Sequence, residues 1–170
     1  LNNYDPQLKP RPTIGAEFFE GIYPIDNEGN SLKFEVWDTA GQEAYKPIAP
    51  IFFQNCVIAI LVFDVTLKKT IESLDYYVNI LHEKEPDCFI AIVGNKIDLQ
   101  KERVVSYKEG EAYANSIGSN FYMETSALTG EGVQELFSTL ACQKLIFSNL
   151  TKRIKIEKLT EKKDDEHNCC

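Results

Sequence analysis

The clearest pattern along the chain is a series of short apolar runs separated by more polar stretches. Two runs, VIAILVF at 57–63 and FIAIV at 89–93, are almost unbroken, as is typical of strands buried on both faces of a parallel sheet. Other segments rich in β-forming residues predict three more strands, at Glu17 to Ile25, Leu32 to Trp37 and Phe121 to Glu124. The first two of these flank IDNEGN, which predicts a hairpin turn.

Apolar residues also recur at helical spacing between and after the later strands. This spacing predicts three helices, one of them behind a candidate cap at Ser106. Their apolar positions are Ile71, Leu74, Val78 and Leu81; Tyr107, Ala114 and Ile117; and Val133, Leu136, Phe137, Leu140 and Leu145. Alternating strands and helices predict an α/β fold, a doubly wound and mostly parallel sheet with helices on both faces. We expect residues 1–150 to form this domain and the lysine- and glutamate-rich residues 151–170 to form a flexible tail.

Composition limits the classes of partner that we expect and indicates the chemical state of the cysteines. The formal net charge of −8 argues against the broad basic face that nucleic acid requires. The longest apolar run, Cys56 to Phe63, is far shorter than the roughly 20 residues of a membrane-spanning helix. Cys56, Cys88 and Cys142 stand singly in apolar stretches, so we expect reduced, small apolar side chains there rather than disulfides or metal ligands.

Three polar motifs directly follow predicted strands, where ligands bind in open α/β sheets. They are DTAGQE (38–43), NKID (95–98) and TSA (125–127). In NKID, the Asp98 carboxylate can accept two hydrogen bonds from the N1–H and the exocyclic amine of guanine. Adenine presents an acceptor at that edge and would leave the carboxylate unpaired, which is costly. The alternative is a polar loop that simply closes a strand.

Four motifs in this order resemble the Ras superfamily of small GTPases: PTIG (12–15), WDTAGQE (37–43), GNKID (94–98) and ETSA (124–127). IGAEF (14–18), LVFDVT (61–66) and the terminal CC further resemble its Rab family, and APIFF (49–53) with METSA (123–127) resembles the early-endosomal branch. The resemblance implies a fold of the P-loop NTPase type. It also implies a GTP-binding and GTP-hydrolysing switch in vesicle traffic.

The resemblance also implies a role for individual residues. Thr13 and, through water, Asp38 would hold Mg²⁺, and Gln42 would orient the attacking water. The residues implied to bind GTP or GDP are Thr13, Asp38, Thr39, Ala40, Gly41, Asn95, Lys96, Asp98, Ser126 and Ala127. Those implied to face effector proteins are Ile14, Phe18, Trp37 and Tyr45, whereas Phe52 and Phe53 are expected to pack in the core.

The last two residues, Cys169 and Cys170, predict a lipidation signal, since two adjacent terminal cysteines rarely arise by chance. The resemblance implies geranylgeranyl groups on both, and two lipids hold a protein on a bilayer where one does not. It further implies a site on the cytoplasmic face of endomembranes, with cycling through the cytosol. The implied partners are effectors, an exchange factor, a GTPase-activating protein and escort or dissociation-inhibitor proteins.

The sequence also departs from the family pattern. Ala44 stands where arginine is common, and Leu128 stands where lysine usually follows the SA pair. The phosphate-loop pattern G-x-x-x-x-G-K-[ST] does not occur in these 170 residues. One hypothesis is that a strand, the phosphate loop and a helix, roughly 30 residues, precede Leu1. The other is a pseudo-GTPase interaction module that neither binds nor hydrolyses nucleotide; retention of Gln42 favours the first.

Overall fold

The computed structural model describes residues 13–24, 31–41 and 47–143. In these ranges, strands and helices alternate after an initial pair of strands, as the apolar pattern predicts. The elements are β1 (Ala16–Pro24), β2 (Ser31–Thr39), α1 (Ala49–Phe52), β3 (Ile58–Asp64), α2 (Lys68–Glu72), α3 (Leu74–Lys84), β4 (Phe89–Asn95), α4 (Tyr107–Ser116), β5 (Phe121–Glu124) and α5 (Val133–Cys142).

Strands β3, β4 and β5 form a parallel sheet in that order. Ile58 pairs with Phe89 at the amino ends of β3 and β4, and Asp64 pairs with Asn95 at their carboxyl ends. Strand β5 joins the other side of β4 in parallel register. The polar residues that follow these strands therefore leave the sheet at one common edge.

Strands β1 and β2 form an antiparallel pair along their whole length, from Ala16 opposite Thr39 to Pro24 opposite Ser31. This pairing confirms the predicted hairpin, although its turn, residues 25–30, lies outside the described ranges. The pair is a separate two-stranded sheet. Tyr23 stacks on Phe137 of α5, with ring centroids 5.5 Å apart, so the hairpin packs on the helical layer beside the parallel sheet.

The parallel sheet has an apolar core on each face. On one face, Leu61 and Phe63 of β3 join the apolar positions of α2 and α3, which are Ile71, Leu74, Val78 and Leu81. On the other face, Ala91 and Val93 of β4 pack with Leu136, Leu140 and Ala141 of α5. Strand β4 is thus buried on both faces, as predicted. The same prediction is wrong for β3 at Val62, which is 51% exposed because the α5 layer reaches Ile58 and Ile60 but not Val62.

Helix α4 begins at the predicted Ser106 cap. The Ser106 hydroxyl accepts a hydrogen bond from the Glu109 N–H, and the Glu109 carboxylate accepts one from the Ser106 N–H at 2.8 Å. This reciprocal arrangement satisfies two backbone donors that a helix start would otherwise leave unpaired. One turn on, a Cβ at Gly110 would lie 2.2 Å from the Tyr122 hydroxyl oxygen, so glycine lets α4 pack closely on β5.

Candidate functional site

The carboxyl edge of the parallel sheet gathers the polar ends of three strands. Strands β3, β4 and β5 end at Asp64, Asn95 and Glu124. The Thr125 N–H donates to the Gly94 carbonyl at 2.8 Å, and the Val65 N–H donates to the Asn95 carbonyl at 3.0 Å. The strand-end motifs that are distant in the sequence therefore meet at one edge, as expected for a ligand site in this architecture.

Asn95 links the two loops that follow β4 and β5. Its side-chain oxygen accepts a hydrogen bond from the Ala127 N–H at 2.9 Å and a longer one from the Thr125 hydroxyl at 3.4 Å. The Ile97 N–H donates to the Thr125 carbonyl at 3.3 Å. Each loop is therefore held by the other, and these contacts fix the side chains between them.

Asp98 is placed by a short hydrogen bond from the loop after β5. The Ser126 hydroxyl donates to Asp98 Oδ1 at 2.5 Å, and the same hydroxyl oxygen accepts the Thr129 N–H at 3.1 Å. Ser126 is fully buried, whereas Asp98 is partly exposed. Because an ionised carboxylate has about four lone-pair sites, this one bond leaves it able to accept a ligand's N–H groups.

Lys96 forms an ion pair with Asp64, the last residue of β3, which lies outside the three polar motifs of the sequence. Its ammonium lies 2.5 Å from Asp64 Oδ2, and its own backbone is left-handed, with φ of 70°. Burial would raise the pKa of Asp64, but hydrogen bonds from Lys96 and Thr66 outweigh burial and hold that pKa below its ordinary value. One feature of the sequence could have indicated Asp64 as a residue of this edge, since Asp64, like Asn95, directly ends an apolar strand.

A second ion pair supports the loop after β5, and sequence reasoning missed it as well. Arg103 donates to both carboxylate oxygens of Glu124, each at 2.8 Å. The Tyr122 hydroxyl donates to Glu124 Oε1 at 3.0 Å. Burial and the nearby Glu124 charge raise the pKa of Tyr122, so its hydroxyl stays protonated and donating. Nothing in the local sequence around Arg103 indicates this partner 21 residues away.

The end of β2 forms a second polar group, held by separate contacts. The Thr13 hydroxyl donates to Asp38 Oδ2 at 3.1 Å, and the buried Ala40 is fixed through its N–H to the Gly15 carbonyl at 2.9 Å. Thr39 is partly buried, and Gly41 is exposed.

The hydroxyl and carboxylate oxygens of Thr13 and Asp38 are ligands that Mg²⁺ accepts. Among the described residues, no group of three or more His, Cys, Asp or Glu side chains could hold a metal ion. Two oxygen side chains nevertheless fit Mg²⁺, because this ion commonly binds one or two protein ligands together with substrate phosphates and water.

An exposed aromatic patch lies beside this second group. Phe18 and Trp37 face each other across β1 and β2, with ring centroids 5.0 Å apart, and they are 46% and 54% exposed. Ile14 is 81% exposed. The ring centroid of Phe52 lies 6.0 Å from that of Trp37, whereas Phe53 is buried in the core. The structure thus confirms core packing for Phe53 and places the partly buried Phe52 at the edge of the patch.

Several predicted positions lie outside the described residues. They are Gln42, Tyr45, the predicted helix position Leu145, and the predicted tail 151–170 with Cys169 and Cys170. In the part of the chain that the structure describes, no helix is long and apolar enough to cross a membrane.

Comparison with known proteins assigns the family. The model for the Ras family matches residues 2–145. The GTP-binding protein ypt5 of Schizosaccharomyces pombe is 44% identical over 131 residues, 76% of this chain and 61% of that relative. The Ras-related protein RABF2a of Arabidopsis thaliana is 41% identical over 130 residues, 76% of this chain and 64% of that relative. The putative ras-related protein Rab-5B of Dictyostelium discoideum is 38% identical over 135 residues, 79% of this chain and 61% of that relative.

The chain spans less than two thirds of the length of these curated relatives. The family match itself covers most of the chain, and it includes every described motif at the carboxyl edge and at the end of β2. The chain therefore belongs to the Ras family, in the Rab branch that the names of its relatives indicate.

Proposed function

We propose that the complete protein is a Rab-type switch that binds GTP and hydrolyses it to GDP and phosphate in endomembrane traffic. The observation that carries the proposal is the linked group at the carboxyl edge, in which Asn95 joins two loops and Ser126 orients Asp98. Polar side chains that other protein groups hold in place lower the entropic cost of binding. Membership of the Ras family supports the same conclusion.

Base selection rests on Asp98. Its carboxylate would accept the N1–H and the exocyclic amine of guanine, while the aliphatic stem of Lys96 lies along the base and its ammonium stays on Asp64. An adenine in the same place would present an acceptor to a carboxylate, and that mismatch discriminates by on the order of 10⁴-fold.

The phosphate side rests on the group at the end of β2. Thr13 and Asp38 would hold Mg²⁺, which would supply positive charge to offset the negative charge of the phosphates during transfer. The exposed Gly41 N–H would meet the γ-phosphate, and Gln42 would orient the attacking water, since its amide both donates and accepts. Thr39 and Ala40, which lie between Asp38 and Gly41, would complete this phosphate-binding segment.

Switching follows from the same contacts. Thr13 and Gly41 would both touch the phosphate that hydrolysis removes, so the segments around them would be ordered with GTP and loosened with GDP. The exposed patch of Ile14, Phe18 and Trp37 adjoins these segments and would offer effectors a state-dependent surface, to which the family resemblance adds Tyr45. An exchange factor would set the rate of nucleotide exchange, and a GTPase-activating protein would set the rate of GTP hydrolysis.

Membrane attachment would come from prenyl groups on Cys169 and Cys170. Escort and dissociation-inhibitor proteins would cover these lipids when the protein cycles through the cytosol. The Rab5-type name of the Dictyostelium discoideum relative and the APIFF segment support the early endosome as its membrane.

Base selection is tested with Asp98→Asn in the complete protein. An asparagine keeps an acceptor for N1–H but turns a donor toward the second position, where xanthine carries an oxygen. We expect GDP affinity to fall by on the order of 10³-fold or more and xanthosine diphosphate affinity to rise, measured by fluorescent-nucleotide titration. Asp87→Asn, at the opposite end of the sheet, is the matched control and should bind GDP like wild type. Wild-type protein that binds no guanine nucleotide would favour the interaction-module hypothesis instead.

Hydrolysis is tested separately with Gln42→Leu. Leucine has a similar size but no amide, so we expect slower GTP turnover, with and without an activating protein, at unchanged GDP affinity. Single-turnover phosphate release measures the rate. Equal turnover by the variant and wild type would remove Gln42 from the mechanism while leaving nucleotide binding intact.

A further inference from the structure

The last residue of β3, Asp64, carries a carboxylate whose two oxygens have different partners. Oδ1 accepts the Thr66 N–H at 2.8 Å and the Thr66 hydroxyl at 2.7 Å, and these bonds close the turn that follows the strand. Oδ2 lies 2.5 Å from the ammonium of Lys96, in the loop after β4. The turn therefore uses only one carboxylate oxygen, and the other oxygen is left for Lys96.

Asp64 is the better fixed member of this ion pair. Its side chain is 15% exposed, whereas that of Lys96 is 52% exposed. The Thr70 hydroxyl oxygen accepts the Asp64 N–H at 3.0 Å, so the backbone is held as well as the carboxylate. A half-exposed ion pair contributes little to the free energy of unfolding, because ordering the side chains offsets the Coulomb attraction. Since Thr66 and Thr70 already hold Asp64, the main effect of the contact is to fix the side chain of Lys96.

The backbone of Lys96 is fixed as well. Its φ of 70° is left-handed, a conformation that is unfavourable for a residue with a Cβ. The Leu99 N–H donates to the Lys96 carbonyl at 3.0 Å and closes the turn that contains it. Unfavourable backbone conformations persist where the surroundings hold them, and they cluster at functional sites. The aliphatic stem of Lys96 is thus held between its Cα and the Asp64 carboxylate, two positions before Asp98.

We propose that Asp64 is a positioning residue for guanine binding and acts through Lys96. This inference rests on the proposed function, because it gives Asp64 the task of holding the Lys96 stem against the base that Asp98 selects. A side chain that another protein group holds loses less entropy when a ligand binds. Without the carboxylate, the Lys96 side chain would have to be ordered by the nucleotide itself. GDP and GTP would be affected alike, since the stem contacts the base they share.

The test is Asp64→Asn in the complete protein. Asparagine keeps one oxygen for the Thr66 turn but replaces the other with an NH₂ group, which cannot accept a hydrogen bond from an ammonium. We expect GDP to dissociate about five- to tenfold faster, the size of effect expected from ordering one long side chain. Dissociation is followed with a fluorescent GDP analogue that is chased by unlabelled GDP. Lys96→Met should accelerate dissociation similarly, and Asp64→Asn/Lys96→Met should release GDP no faster than Lys96→Met alone.

Thr66→Ala is the matched control for a purely structural role of the turn. It removes the hydroxyl bond to Asp64 Oδ1 but leaves the ion pair, so it should lower the melting temperature and release GDP at the wild-type rate. Equal acceleration by Thr66→Ala would assign the effect to the turn and overturn the proposal. So would a wild-type rate in Asp64→Asn, or full additivity in the double variant, and both results would leave the proposed function intact. Wild-type protein that binds no guanine nucleotide would overturn both.

A second measurement needs neither a nucleotide nor a folded Asp64 variant. Nuclear magnetic relaxation of lysine NH₃⁺ groups in wild-type protein reports the order parameter of each ammonium. We expect a clearly higher order parameter for Lys96 than for the exposed Lys69 of α2. Equal values would show that Asp64 does not fix the Lys96 side chain, and would overturn the proposal.

Discussion

Glu124→Gln is expected to destabilise the protein strongly, because it removes the counter-charge of a largely buried guanidinium. The Arg103 and Glu124 side chains are only 17% and 13% exposed, and two hydrogen bonds of 2.8 Å join them. Arg103 also donates to the Val105 carbonyl at 3.1 Å, so its position is fixed from both sides. The glutamine amide can replace one acceptor but carries no charge.

The magnitude follows from the burial of the pair. Breaking a buried ion pair by removing one partner costs about 3–5 kcal/mol, since the other charge is left uncompensated. Both side chains keep some contact with solvent, so we expect Glu124→Gln to lower the free energy of unfolding by about 3 kcal/mol, the lower end of this range. For a domain of this size, that loss lowers the melting temperature by roughly 6–12 °C. If the proposed function holds, the altered loop should also weaken nucleotide binding, because Thr125 and Ser126 directly follow Glu124.

Urea unfolding monitored by fluorescence and circular dichroism measures the change. The matched control is Glu20→Gln, which removes the ion pair between Glu20 of β1 and Lys33 of β2, where the Glu20 side chain is 50% exposed. Exposed pairs contribute about 0–1 kcal/mol, so this variant should remain close to wild type. The double variant Arg103→Met/Glu124→Leu should recover much of the loss, because it leaves no unpaired charge. A Glu124→Gln value within about 1 kcal/mol of the Glu20→Gln value would refute the reasoning.

Two further predictions concern the same edge of the sheet. Gly132→Ala should lower the free energy of unfolding by about 2 kcal/mol or more, because φ is 72° and a Cβ would lie 2.6 Å from the Glu124 carbonyl oxygen. The control is Gly118→Ala, where φ is 68° but a Cβ would meet no atom within 4 Å. In urea unfolding, this control should lose only about 1 kcal/mol, from backbone strain. Lys96→Met should raise the pKa of Asp64 toward its ordinary value, seen by NMR titration. In wild type the lowered pKa contributes stability that is present above the unfolded value of 3.8 and lost as pH falls through the folded pKa. The variant should therefore be less stable than wild type at neutral pH, and this difference should disappear as pH falls through the folded pKa of wild type, whereas an unchanged titration would contradict the ion pair.

The strand-end motifs could be predicted because each is a local feature of the sequence. An apolar run of strand length followed by NKID or TSA places polar residues at a sheet edge without any knowledge of neighbouring strands. The structure confirms this for Asn95, Asp98 and Ser126. The Ser106 cap was equally local, since Glu109 follows it at the spacing of a capping box.

The supporting contacts could not be predicted in this way. The Lys96–Asp64 and Arg103–Glu124 ion pairs each join residues 21 or more positions apart, as their sequence numbers show. The separate β1–β2 sheet and the exposure of Val62 also depend on which elements pack beside β3. Nor did an apolar neighbourhood in the sequence predict that Cys142 is exposed on α5.

The sequence by itself determined the alternation of strands and helices, the polar motifs at the strand ends and the family resemblance, because apolar periodicity and short motifs are encoded in neighbouring residues. Only the tertiary structure decided which charges neutralise each other and which apolar side chains stay exposed. Those outcomes depend on strand order and register, which bring residues that are distant in the chain within hydrogen-bonding distance across the parallel sheet.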